Sequence, residues 1–157
     1  MENRKIECKN NKTLKLSNVI IKEVTLDENT NLMLEVKKME NYIKNKGAVP
    51  VGPFIQYTKI GINGIGAPTF VYKTMIQVDV FIENNDNIYD MSSIIKVENC
   101  LYARFNGLEK DIKFVYDKIN VLAYEENLKL NQDTYTVIVS KDDDEIIADI
   151  FMELDCK

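Results

Sequence analysis

Residues 27–47 read DENTNLMLEVKKMENYIKNKG, residues 107–129 read GLEKDIKFVYDKINVLAYEENLK, and this pair of segments decides the fold. In the first, Leu32, Val36, Met39 and Ile43 recur at the spacing of one helical face. Asp27 and Asn29 offer N-cap oxygens ahead of that face, and Gly47 and Pro50 stop it, which predicts an amphipathic helix of about five turns. In the second, Leu108, Ile112, Val115 and Ile119 repeat the spacing, each 76 residues after its counterpart. Four matches at one offset mark an internal duplication, and both stripes read as core-facing surfaces.

Strand signals surround each helix. Leu14 to Leu26 (LKLSNVIIKEVTL) is rich in β-branched residues and precedes the first helix. After that helix come VGPFIQYTKIG and FVYKTMIQVDVFIE; in the latter, Ile76, Val78, Val80 and Ile82 alternate with Met75, Gln77, Asp79 and Phe81, as in a long hairpin. The second half repeats the order, with SSIIKVENCLYARF as a strand, the second helix, then DTYTVIVS and EIIADIFMEL as a hairpin around SKDDD. The closing strands also align, VDVFIE from Val78 against ADIFMEL from Ala148, pairing Asp79 with Asp149 and Phe81 with Phe151. The expectation is therefore a single α+β domain over residues 1–157, a tandem β-α-β-β repeat with pseudo-twofold symmetry. Its antiparallel sheet should carry two long helices on one face. The half-repeats span 14–83 and 92–155, and the polar stretch 84–91 links them. Each half is too short to bury more than a marginal core, so the two should share an interior. The boundary between them is then the natural place for a ligand.

Composition narrows the functions available. The chain has 157 residues, 45% hydrophobic and 29% charged, as a folded globular protein should. A net charge of −5 opposes direct binding of nucleic acid or an anionic membrane. The sequence has no histidine, which removes the usual neutral-pH base, the Ser-His and Cys-His nucleophiles and the commonest metal ligand. Cys8, Cys100 and Cys156 are odd in number and widely separated, so they read as free thiols of a reducing compartment. No export signal and no membrane-length apolar run is visible, and a cytoplasmic location is expected. The residues before Leu14 are too few for a helix-turn-helix.

Other motifs have simpler readings. GINGIGAP spaces its glycines G-x-x-G-x-G with no helix following, so it reads as a hairpin loop and not a phosphate cradle. Asp142, Asp143, Asp144 and Glu145 suit a tight turn and do not match a calcium loop. Asn84, Asn85, Asp86 and Asn87 read as linker. No cofactor, metal or catalytic residue is assigned.

GPFIQY from Gly52 to Tyr57, Phe105-Asn106-Gly107 before the second helix and Asp133-Thr134-Tyr135 on the strand after it, together with the doubled element order, resemble the GyrI-like effector-binding domain. That family occurs at the end of AraC-type and MerR-type regulators and as stand-alone proteins. The resemblance covers nearly the whole chain. In this sequence Phe105 stands where the family often has His, Glu109 where Tyr is common, and Asp133 where Glu is usual, one methylene longer. The resemblance implies a cavity between the halves, lined by aromatics and one buried acid, for hydrophobic and often cationic small molecules. An acid in an apolar pocket is costly when unpaired, so a bound cation stabilises it, and aromatic faces add cation–π attraction. Tyr57, Asp133 and Tyr135 are the first-choice ligand-binding residues, with Phe54, Tyr72 and Tyr102 behind them. The expected function is a stand-alone small-molecule-binding module. Two rivals remain: a protein-binding inhibitor whose cavity is filled, and a small hydrolase using Asp133 as base.

Overall fold

The computed structural model describes residues 6–83 and 87–155. Cys156 and three linker residues, Asn84, Asn85 and Asp86, lie outside the described residues. In chain order the elements are β1 (Cys8–Glu23), α1 (Leu32–Asn45), β2 (Phe54–Ile62), β3 (Pro68–Gln77), β4 (Asp90–Leu108), α2 (Lys113–Glu125), β5 (Leu130–Asp142) and β6 (Glu145–Leu154), with a 3₁₀ turn at Glu109–Asp111 before α2. The protein is α+β, and strand, helix, strand, strand occurs twice, as the duplicated pattern requires.

All strand pairs are antiparallel, and the sheet closes on itself in the order β1-β3-β2-β5-β6-β4. Each half contributes three neighbouring strands in the same internal order. Two seams join the halves: β1 against β4, and β2 against β5. Closure explains why the apolar residues of one strand divide between two environments. Leu14, Leu16, Val19, Ile55, Met75, Val97, Cys100 and Val137 form an interior cluster, and Phe151 packs against it, so every strand contributes to one shared core. On the outer face, α1 lays Met39 and Ile43 over Ile20, Ile76 and Val78. In the second half α2 lays Val115, Ile119 and Ala123 over Leu101, Ala103, Ala148, Ile150 and Met152.

Met39 and Ile43 of the first stripe and Val115 and Ile119 of the second are buried as expected, but several boundaries differ. β1 runs from Cys8 to Glu23 where the sequence predicts Leu14 to Leu26, β4 starts at Asp90 inside the expected linker 84–91, and the helix starts and the end of β3 shift as well. Asn31, and neither Asp27 nor Asn29, caps α1: its side-chain oxygen accepts the Leu34 N–H at 3.1 Å. Asp27 is instead committed to the preceding loop, where its carboxylate accepts the Asn29 N–H and the Thr30 hydroxyl. At the second helix, β4 continues through Gly107 and Leu108, which pair with Ile146 and Glu145, so α2 begins only at Lys113 and Leu108 is not a helical core residue. In the first half β3 ends at Gln77, and Val78 makes an isolated bridge to Pro50. The chain leaves the sheet there because Asp79 binds Val49 twice, through its backbone N–H and its carboxylate. Val80 and Phe81 are consequently exposed, and the resemblance of VDVFIE to ADIFMEL does not mark equivalent strands.

GINGIGAP and the acidic run fall as expected. GINGIGAP forms the β2–β3 connection, closed by Asn63 N–H to Ala67 at 2.9 Å, with Gly66 at φ 81° where a side chain would strain the backbone. The acidic run forms the β5–β6 turn, with Asp142 paired to Glu145. No helix among the described residues is long and apolar enough to cross a membrane. Cys8 and Cys100 are free thiols; burial, with Glu153 nearby, pushes Cys100 up to about 11, which keeps it a thiol at neutral pH.

Candidate functional site

The β2–β5 seam brings the three first-choice residues together. Antiparallel register sets Tyr57 opposite Tyr135 and Lys59 opposite Asp133. The two tyrosine rings lie 5.0 Å apart, and the Tyr57 hydroxyl donates to the Asp133 carboxylate. Asp133 is largely buried, with 16% of its side chain exposed, and Lys59 stands 3.6 Å away. A bulge places the acid: the β5–β6 register shifts between Leu130 and Thr134, and Gln132 is left-handed at φ 76°. Bulges of this kind re-aim side chains at the rims of barrels. The Asn131 amide oxygen steadies the turn by accepting the Asp133 N–H at 2.9 Å.

The tyrosines belong to a longer row. Register runs from Lys73 to Tyr57, Tyr135, Phe151 and Tyr102, one residue from each of five adjacent strands. Tyr102 therefore shares the interior face with the seam residues but lies beyond Phe151, its ring 5.0 Å from that ring and its hydroxyl donating to Asp149. Arg104 grips the same Asp149 carboxylate through two hydrogen bonds. Burial works against ionisation there, yet the bonds from Arg104 and Tyr102 outweigh it and hold the Asp149 carboxyl below its ordinary range.

Phe54 and Tyr72 are elsewhere. Phe54 packs against the α1 cluster on the outer face. Tyr72 sits on the same outer side, opposite Thr58, buried, and its hydroxyl has no hydrogen-bond partner among the described residues. The structure thus brings together Tyr57, Asp133 and Tyr135, sets Tyr102 along the same row, and separates Phe54 and Tyr72 from them across the sheet.

A cavity of about 290 Å³ opens where the β2–β5 seam meets α2. Thr58 and Ile60 wall it from the first half; Leu130, Gln132, Asp133, Thr134 and Met152 wall it from the second, and Tyr116 and Asn120 cover it from α2. Of the six expected ligand-binding residues only Asp133 lines it, and among the described residues Asp133 is the one charged group in its walls. Tyr116 holds its position through a 2.6 Å hydrogen bond with Thr136. Neither Tyr116 nor Phe151 was among the expected site residues. Phe151 stands at an alternate position of a strand between Ile150 and Met152, and Tyr116 lies four residues after Ile112 and three before Ile119 on the same helical face, so periodicity carried a signal for both that the motifs did not.

Electrostatics around the seam favour neutral tyrosines. Burial, then the hydrogen bond and charge of Asp133, raises Tyr57 far above its ordinary value. Burial, with Asp133 and Glu153 adding to it, pushes Tyr135 up to about 12. Both hydroxyls are proton donors at neutral pH and not nucleophiles.

No family model and no curated protein matches this sequence. Solved structures do share the fold. An uncharacterised conserved protein from Listeria innocua superposes with a TM-score of 0.61 at 9% identity, covering 97% of this chain and 93% of that one. Two hydrolases from Listeria innocua superpose with TM-scores of 0.57 and 0.55 at 9% and 10% identity, each covering 97% of this chain and 92% of its own. At such identities the likeness is one of fold.

Proposed function

We propose that this chain is a small-molecule-binding module of the GyrI-like kind, taking a compact hydrophobic or cationic ligand at the β2–β5 seam. The observation that carries the reading is Asp133: a largely buried carboxylate beside two tyrosine rings, forming the one charged point among the described residues in the wall of a cavity to which both halves contribute. A cation there would gain the carboxylate, and the Tyr116 ring in the same wall offers an aromatic face worth about 0.5–2 kcal/mol, while Tyr57 and Tyr135 lie on the interior face and act on the site through Asp133. The volume sets the scale of the ligand. At about 290 Å³ the cavity lies at the small end for ligand sites, which suits a single-ring cation better than a polycyclic one.

Thermal-shift and calorimetric titration with benzyltrimethylammonium, and with neutral benzyl alcohol of similar ring size, test the reading. Binding of the cation that Asp133→Asn weakens tenfold or more, in a variant that still melts cooperatively, is the expected outcome. Equal affinity of wild type and Asp133→Asn for both compounds would remove Asp133 from the site.

A second reading has its own observation. Ile60, Ile62, Ile65 and Phe70 are all more than half exposed on and around the β2–β3 hairpin, with Ile65 at 90%. Clustered apolar exposure of this sort marks surfaces that meet other proteins. If no small molecule shifts the melting temperature, a protein partner at this hairpin becomes the better account. Hydrolysis ranks third: Asp133 would act as base while already accepting the Tyr57 hydroxyl, and turnover that survives Asp133→Asn would discard it.

A further inference from the structure

Both recognition elements of a cation site at the seam are already met by ammonium groups of the chain itself. Lys59, directly across the seam from Asp133, places its Nζ 3.6 Å from the carboxylate. Lys73, directly opposite Tyr57 on β3, places its Nζ 5.5 Å from the centre of that ring. Glu153, the other acid close enough to influence Tyr57 and Tyr135, is held by the Asn131 amide at 2.7 Å. The contrast with the cavity wall matters, because among the described residues that wall has the carboxylate and no basic side chain. Asp133 therefore faces a resident cation on one side and, on the other, a space that no described lysine or arginine lines.

We propose that Lys59 is the built-in counter-ion of Asp133 and a specificity-determining residue: a cation entering the cavity on the far side of the carboxylate competes with the Lys59 ammonium for it and, on binding, draws the carboxylate away from Lys59. The inference rests on the reading of Asp133 as the ligand-binding acid. Displacement is feasible because 49% of the Lys59 side chain is exposed, so its ammonium can swing into water without an uncompensated burial. It also explains how a largely buried acid is tolerated when no ligand is present, since an unpaired charge there would be costly. A neutral ligand gains nothing from displacing the lysine, so Lys59 raises the threshold for cations alone.

The test is titration calorimetry with benzyltrimethylammonium and benzyl alcohol on the full chain. The proteins are wild type, Lys59→Met, Asp133→Asn, the double variant, and Lys141→Met. Lys141 pairs with Glu109 at the far end of β5, so its loss changes net charge equally without touching the seam. Lys59→Met is expected to bind the cation about fivefold more tightly than wild type, the upper end of what a half-exposed ion pair contributes. Lys141→Met should change little, benzyl alcohol should not distinguish the variants, and Lys59→Met should give no gain once Asp133 is Asn. Equal gains from Lys59→Met and Lys141→Met, or a gain that persists in the double variant, would overturn the proposal while leaving Asp133 in place. Cation binding by neither wild type nor Lys59→Met would overturn it together with the ligand reading. Should Lys59→Met fail to melt cooperatively, Lys59→Gln, a neutral polar replacement, supplies the same comparison.

Discussion

Two tyrosine hydroxyls near the cavity have opposite fates. Tyr116 on α2 shares a 2.6 Å hydrogen bond with Thr136, a threonine almost wholly buried in β5. Tyr72 on β3 is 6% exposed and its hydroxyl has no partner among the described residues. A buried polar group left unpaired costs about 1–3 kcal/mol, whereas removing one member of a buried pair strands the other. Tyr72→Phe should therefore stabilise the protein by about 1 kcal/mol at pH 8, and Tyr116→Phe should destabilise it by a similar amount, both read by urea unfolding. The pH dependence has a definite sign. Burial, with Tyr116 nearby, raises Tyr72 from 10 to about 12. Below pH 10 the hydroxyl is protonated in folded and unfolded chains alike; above it the unfolded chain sheds its proton first, which favours unfolding until pH passes 12. The advantage of Tyr72→Phe should accordingly widen, by about 1 kcal/mol at about pH 11. An advantage that stays constant from about pH 8 to 11 would mean that Tyr72 is not buried as described.

At the scale of elements, the α1 cap separates what periodicity reveals from what it conceals. The stripe Leu32, Val36, Met39 and Ile43 was legible because it repeats, and Met39 and Ile43 are indeed fully buried. The start of the helix was not, because Asp27, Asn29 and Asn31 are equally good cap residues and the choice among them depends on the fold of the preceding loop. Asn31→Ala should cost about 1 kcal/mol through loss of its bond to Leu34, while Asn29→Ala should cost little, since Asn29 contributes only its backbone N–H. Equal losses in thermal unfolding would contradict this assignment of the cap. The ends of β4 and β3 were hidden for a related reason. Gly107 and Leu108 look like the entry to a helix, yet β6 runs alongside and keeps them extended. Val78 to Ile82 alternate like a strand, yet Val49 captures Asp79 and turns the chain away. The site was legible to the same degree. Tyr57, Asp133 and Tyr135 carried short motifs, but the nearness of Lys59 to Asp133 and of Lys73 to Tyr57 is a matter of register across two strand pairs, which no single segment encodes.

At the scale of the whole molecule, closure of the sheet means that neither half owns its core. The interior cluster draws on all six strands, and it is completed only when β2 meets β5 and β1 meets β4. Separated, each half would expose its share of that cluster and present two unpaired edges, the outer sides of β1 and β2 or of β4 and β5. A three-stranded sheet with one helix could still bury the outer cluster under its helix, Met39 and Ile43 in one case and Val115 and Ile119 in the other. That is too little to offset chain entropy in a unit of this size. The two halves, cut within 84–91 and produced apart, should each lack a cooperative unfolding transition. Mixed in equal amounts, they should regain one, together with slow amide exchange at Ile55 and Val137, which face each other across the β2–β5 seam. Because Asp133 and Tyr116 come from one half and the cavity walls Thr58 and Ile60 from the other, binding of an aromatic cation should appear only in the mixture. A half that folds alone would show that the shared interior is not what stabilises the duplicated unit, and cation binding by the second half alone would place the site outside the seam.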